Sequence, residues 1–212
     1  MDEKKMTARL LREHGRTYAE EAGIRLRNTP APLYQLLMFT VLCSVRIKAE
    51  IAVAAARELF KAGFRSPGKM AGSDWQARVD ALGRAHYVRY DESTATALGD
   101  GAELVLDRWH GDLRKLRDEA DGDIGKLRKL LQEVPRIGPV GADIFCREAQ
   151  AIWPELRPYF DQRARKVAAS LGLPRDPAAL GDLAPGKAMA RLASALVRVG
   201  LSKETAKELK AA

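Results

Sequence analysis

The chain has 212 residues, of which 36 are Lys or Arg and 28 are Asp or Glu, so its formal net charge is +8. This length can form one large domain or two small ones, and the positive charge favours binding to a polyanion, nucleic acid first. The charged N-terminus is unlike a secretory signal, and no apolar run approaches the roughly 18 residues of a membrane span. We therefore expect a folded cytoplasmic protein, associated with the nucleoid if it is bacterial.

The first half of the sequence predicts helices and no strands. Apolar residues at helical spacing indicate an amphipathic helix over residues 6–22, although Gly15 weakens it. Residues 33–45 are apolar on nearly every side, which is typical of a helix buried at the centre of a helical domain. Another amphipathic helix is predicted over residues 49–62, and a long one begins near Asp91. These patterns predict an all-α fold.

A turn rich in Gly and Pro separates two helices in the second half. Its sequence over residues 134–139 is VPRIGP, and an apolar helix follows at once. The first amides of a helix have no carbonyl partner within it, so this N-terminus suits a phosphate. Further on, Asp161 follows an aromatic pair and precedes another helix. The alternatives are a simple connection between two helices and, for Asp161, an ordinary N-cap.

The sequence predicts no metal site and no cofactor. Its two cysteines, Cys43 and Cys146, each lie within an apolar helical pattern, which indicates buried, reduced thiols. No spacing of His, Cys, Asp and Glu matches a zinc site.

Four segments, taken in chain order, resemble the helix-hairpin-helix DNA glycosylases, the superfamily of endonuclease III. They are Leu42 to Arg46 (LCSVR), Ala81 to Gly83 with Tyr87 and Tyr90, Val134 to Ala142 (VPRIGPVGA), and Asp161 to Ala168 (DQRARKVA). Each motif is weak alone, and their order carries the resemblance over roughly residues 30–200. The resemblance implies an all-α, two-lobed fold. The central lobe would be residues 28–133, and residues 1–27 with 134–212 would form the lobe that carries the hairpin and the catalytic aspartate.

The resemblance also implies roles for individual residues. Asp161 would be the catalytic carboxylate, because a negative charge near the anomeric carbon stabilises the positive charge that develops on the sugar. Arg46 would fill the gap left by a flipped base, although a solvated arginine at a helix end fits the sequence equally well. The DNA backbone would be bound by Arg136, Ile137, Gly138, Val140 and Arg163, and the pocket residues would be Tyr87, Tyr90 and Asp143. For the two tyrosines, half-buried packing is the alternative.

Departures from the family pattern define the expected activity. Val140 matches the position of the lysine that strand-cleaving relatives carry, so the Schiff-base route is not expected. The four-cysteine iron–sulfur loop of many relatives has no counterpart. Arg136 replaces the first hairpin glycine, and Arg163 replaces the usual histidine. We predict a monomeric, monofunctional DNA glycosylase acting on double-stranded DNA. The alternatives are a catalytically degenerate protein that binds DNA structures, and a basic helical protein with a protein partner.

Overall fold

The computed structural model describes residues 2–211, with side chains through residue 209, and every regular element in that range is helical. In chain order the α-helices are α1 (Glu3–His14), α2 (Tyr18–Glu21), α3 (Pro30–Leu42), α4 (Ala49–Lys61), α5 (Pro67–Ala71), α6 (Trp75–Arg84), α7 (Asp91–Trp109), α8 (Leu113–Ala120), α9 (Ile124–Leu131), α10 (Pro139–Ala149), α11 (Gln162–Ser170), α12 (Pro177–Leu183), α13 (Ala188–Leu201) and α14 (Lys203–Ala211). The prediction of an all-α fold is confirmed. None of the described helices has both the length and the apolar character that crossing a bilayer requires.

The chain forms two compact units, and their boundaries differ from the predicted ones. Unit 1 comprises Met1–Tyr18 with Cys146–Ala212, and unit 2 is Ala19–Phe145. The hairpin, which is the segment of residues 134–142, therefore belongs to unit 2, whereas the prediction grouped it with Asp161. Close packing within unit 2 explains the difference. A methyl group added at Gly141 would lie only 3.2 Å from the Oγ of Ser44, which follows the C-terminus of α3 by two residues.

Helix α3 forms the core of unit 2. Its N-cap residue Thr29 has extended backbone, and Pro30 opens the helix at the position where a missing N–H costs nothing. Leu33 and Leu36 are fully buried, and α3 packs against α4, α7 and α8. The buried Thr40 of this helix donates its hydroxyl to Leu36 O at 3.0 Å. The predicted central buried helix is thus present.

Helix α7 runs unbroken over 19 residues although it contains Gly99 and Gly101. Both glycines are explained by the close approach of neighbours. A methyl group at Gly99 would lie 2.9 Å from the guanidinium of Arg78, and one at Gly101 would lie 3.2 Å from Val134 of the hairpin. Arg78 is itself buried, and it donates to Met70 O at 3.1 Å. The glycines therefore allow close packing and do not interrupt the helix.

Unit 1 is built on α13, which packs against α1, α11 and α14. The prediction of one helix over residues 6–22 is wrong, because α1 ends at His14 and α2 is separate. A side chain at Gly15 would collide with the carbonyl oxygen of Leu11. Arg191 of α13 donates to Gly15 O at 3.0 Å, and this hydrogen bond satisfies a carbonyl at the helix end.

Candidate functional site

The hairpin turn in unit 2 is closed by a hydrogen bond from Ile137 N–H to Val134 O at 3.0 Å. Arg136 takes a left-handed conformation with φ of +68°, which costs a residue with a side chain roughly 1–2 kcal/mol. The resemblance matches this position with a glycine, and the backbone explains why glycine suits it. The Arg136 side chain is exposed, so it adds a cation to the turn.

Helix α10 begins with amides that have no partner within the described residues. Pro139, its first residue, has no N–H to satisfy. Ala142 N–H donates to Gly138 O at 3.0 Å, whereas the amides of Gly138, Val140 and Gly141 meet no acceptor in residues 2–211. The partial positive charge of a helix N-terminus adds to these open donors. The arrangement suits an anion such as a phosphate oxygen.

Ile137 and Gly138, two of the residues predicted to bind the DNA backbone, differ in whether their amides are still able to donate to a ligand. The Ile137 amide is already donated within the turn, and its side chain is buried, so the prediction that this amide contacts phosphate is corrected. Gly138 lies outside the left-handed region, and a methyl group there would meet nothing within 4 Å. Nothing in unit 2 therefore requires a glycine at residue 138. Its missing side chain leaves the amide open to an approaching group.

Val140 lies in the first turn of α10, and 69% of its surface is exposed. A branched apolar side chain with that exposure adds little to the stability of unit 2, because the hydrophobic gain scales with the area removed from water. Its side chain carries no donor, acceptor or nucleophile. The chemistry available at this position is therefore limited to the backbone amide.

Asp161 is placed in unit 1 at the start of α11, where both carboxylate oxygens have partners. Oδ1 accepts the Ala164 amide at 3.0 Å, as an N-cap does. Oδ2 accepts from Arg147 Nη1 at 2.6 Å, and the side chains of both residues are 6% exposed. The predicted catalytic carboxylate is thus a member of a buried ion pair.

Arg147 is the residue of this site that the sequence prediction missed. It lies on α10, and its Nε has no hydrogen-bond partner among the described residues. The positive charge of Arg147 is compensated by its ion pair with Asp161. A signal was present in the sequence, since the charged pair Arg147-Glu148 directly follows the apolar residues Phe145 and Cys146. Burial of a charged side chain requires a partner of opposite charge.

Gln150 holds the segment that leads to Asp161. The Gln150 side chain is fully buried, and it donates to Tyr159 O at 2.8 Å and accepts from Tyr159 N–H at 3.0 Å. Arg157 donates to Gln150 O at 2.7 Å. These hydrogen bonds fix the backbone just before α11, so they position the aspartate.

Two of the predicted pocket residues in unit 2 have structural partners. Tyr87 is fully buried and donates its hydroxyl to Leu42 O at 2.9 Å, and burial raises the pKa of its phenol to about 12. This matches the packing alternative and corrects the expectation of an open pocket at Tyr87. Asp143 forms an ion pair with Arg128 at 2.9 Å.

The remaining predicted residues are accessible to solvent. Arg46 is exposed in the turn between α3 and α4, and Arg163 is exposed on α11 of unit 1. Tyr90 is half-buried, and the guanidinium of Arg89 lies 5.3 Å from its ring centroid. Arg46, Tyr90 and the hairpin belong to unit 2, whereas Asp161 and Arg163 belong to unit 1.

The residues present do not fit an iron–sulfur cluster. Such a cluster is held by four cysteine thiolates, and the sequence contains only Cys43 and Cys146. Within the described part of the chain, no three His, Cys, Asp or Glu side chains gather in a way that suits a metal ion.

No protein-family model matches the sequence, and a search of curated proteins finds no match. Two solved structures are similar. One is a trapped covalent intermediate of endonuclease III with DNA in an estranged-adenine complex, with a TM-score of 0.57 and 14% identity over 93% of this chain and 82% of that one. The other is a non-covalent endonuclease III–DNA complex, with the same TM-score and identity over 92% and 81% of the two chains. The chain therefore has the helical fold of endonuclease III.

Proposed function

We propose that this protein is a monofunctional DNA glycosylase of base excision repair. It flips a damaged or mismatched base out of double-stranded DNA and hydrolyses the N-glycosidic bond. The observation that carries the proposal is the hairpin, whose open amides at Gly138 and Val140 begin a helix in a chain with the fold of endonuclease III. The net charge of +8 supports the same polyanionic partner.

The hairpin would hold the DNA backbone without reading its sequence. The amides of Gly138 and Val140 donate to phosphate oxygens, and Arg136 and Arg163 add positive charge. Arg46 enters the space that the flipped nucleotide leaves, which offsets part of the few kcal/mol lost on unstacking. Val140 has no amine, so no Schiff base forms there and the DNA strand stays intact.

Asp161 would promote departure of the base. Its carboxylate stabilises positive charge on the sugar and orients the attacking water. The contact with Arg147 constrains this role, because the guanidinium neutralises the charge that the reaction uses. The proposal therefore requires Asp161 Oδ2 to exchange Arg147 for the substrate when DNA is bound.

A second candidate is a catalytically degenerate protein that binds DNA structures. The specific observation in its favour is the engagement of both Asp161 oxygens at 6% side-chain exposure. In that case Asp161 is an N-cap and an ion-pair partner, and only the hairpin acts on DNA.

Release of free base separates the two candidates. The wild-type protein is incubated with duplexes that each carry one lesion or mismatch, and the released base is quantified by chromatography. A glycosylase releases base from at least one duplex. A binding protein retards the duplexes in a gel and releases none.

A further inference from the structure

An open cleft of about 360 Å³ lies in unit 2 where the start of α6 meets the start of α7. No residue that lines it belongs to the hairpin. Its walls bring together two aromatic rings, Trp75 and Tyr90, with the cation of Arg89 and the carboxylate of Glu92. The function proposed above uses none of these side chains, although Tyr90 is one of the pocket residues that the family resemblance implies.

Trp75 is the exposed tryptophan of the chain. Trp75 is 38% exposed to solvent, whereas Trp109 and Trp153 are 2% and 0% exposed. The indole Nε1 donates to Thr96 Oγ1 at 3.0 Å, and the Thr96 hydroxyl donates to Glu92 O at 3.1 Å. The polar atom of the ring is therefore satisfied and its orientation fixed. The open part of the ring is left as a preformed surface for stacking.

The side chains of Arg89 and Glu92, which carry opposite charges, do not form an ion pair with each other in this cleft. Arg89 is exposed beside the Tyr90 ring, and Glu92 is exposed at the first turn of α7. Neither side chain forms an ion pair or hydrogen bond within the described residues. Asp91 differs, because its Oδ1 accepts the Glu92 amide at 2.9 Å. A cation and a carboxylate that form no ion pair with each other in one cleft suit a ligand that carries an anion and a hydrogen-bond donor.

We propose that this cleft binds one unpaired nucleotide of a single DNA strand. The base stacks on Trp75, its exocyclic amino group donates to the Glu92 carboxylate, and the phosphate lies near Arg89. A carboxylate accepts from the N4 amino group of cytosine, whereas thymine presents a carbonyl acceptor at the corresponding place. The cleft therefore prefers cytosine to thymine. This site is separate from the proposed glycosylase chemistry and does not depend on it.

The intrinsic fluorescence of the full chain tests the proposal. Because the other two tryptophans are buried, stacking by a base quenches the emission of Trp75. We expect short single-stranded oligo(dC) to quench saturably and oligo(dT) to bind more weakly. Quenching by a lysine-rich peptide with none by either oligonucleotide would instead assign the cleft to a cationic partner and overturn the proposal.

Variants measured by anisotropy of a labelled oligonucleotide localise the binding. Because base stacking is lost, Trp75→Ala should bind the oligonucleotide about 5- to 150-fold more weakly than the wild type. The control Leu201→Ala should leave this affinity unchanged, because it removes an exposed apolar side chain in unit 1. Glu92→Gln should lose the preference for dC over dT. Its matched control, Glu103→Gln, removes the same charge from an exposed position on the same helix and should keep the preference. Equal affinity of Trp75→Ala and wild type would refute the site and leave the glycosylase proposal standing.

Discussion

Replacing Asp161 by Asn should destabilise unit 1 strongly. This loss of stability would by itself lower activity, whether or not Asp161 takes part in catalysis. The substitution removes the charge that compensates the guanidinium of Arg147. Asn has a single oxygen. If that oxygen accepts the Ala164 amide, the NH₂ group faces another donor at Arg147, and if the amide is flipped, the cap is lost.

The magnitude follows from the burial of the pair. Both side chains are 6% exposed and their atoms are 2.6 Å apart, so removal of one partner leaves a charge out of water. Such losses cost about 3–5 kcal/mol, a large part of the roughly 5–15 kcal/mol that stabilises a typical protein. A loss of activity in Asp161→Asn is therefore informative only when the variant is shown to be folded.

A double-mutant cycle measures this energy. Urea unfolding is followed for the wild type, Asp161→Asn, Arg147→Met and the double variant. The double variant has no buried charge at the site, so we expect it to recover most of the stability that either single variant loses. If the free energy of unfolding of Asp161→Asn were within about 0.5 kcal/mol of the wild-type value, the range of an ordinary surface substitution, the buried ion pair would contribute little to the stability of unit 1.

Three further predictions concern the hairpin and the core. Arg136→Gly should raise the free energy of unfolding or leave it unchanged in urea titrations, because the strain of the left-handed backbone is relieved. The same variant should bind duplex DNA more weakly in gel-shift assays, because a cation is lost from the turn. A stability loss above about 1 kcal/mol would contradict the strain argument. Val140→Lys should form a Schiff base with DNA that already contains an abasic site, and borohydride should trap that adduct. Leu201→Lys, at another exposed apolar position, should not be trapped. Equal trapping of both variants would contradict the match of Val140 to the lyase lysine. Burial raises the folded-state pKa of Tyr87 to about 12, so its contribution to stability is complete below about pH 10, the unfolded-state value, and is lost as the pH rises towards 12. Tyr87→Phe should reduce this alkaline loss in thermal melts and should cost about 1 kcal/mol at pH 7 through the hydrogen bond to Leu42 O.

The sequence predicts the helices of this chain well where periodicity and capping agree. Residues 33–45 are apolar on nearly every side, and the structure places a buried helix at Pro30–Leu42. Local propensity fails where packing decides the outcome. Glycine has a low helix propensity, so propensity alone argues against a continuous α7 through Gly99 and Gly101. Each glycine makes room for a neighbour that no local pattern reveals.

The site shows the same limit. The open amides at the start of α10 follow from the Gly/Pro turn and the helix after it. The left-handed backbone of Arg136 does not, because a residue with a side chain rarely adopts that conformation. The pairing of Arg147 with Asp161 joins residues 14 positions apart and requires the three-dimensional course of residues 150–160. Periodicity gives no information about that course, which depends on the fully buried Gln150.

Strand breakage with and without alkali, on duplexes that each contain one lesion, tests the central claim most directly. Hydrolysis of the N-glycosidic bond leaves an intact strand with an abasic site, which breaks only when alkali is added. We predict breakage of at least one lesion duplex after alkali and none before it. Breakage without alkali would contradict the monofunctional assignment, and no breakage of any duplex under either condition would contradict the assignment as a glycosylase.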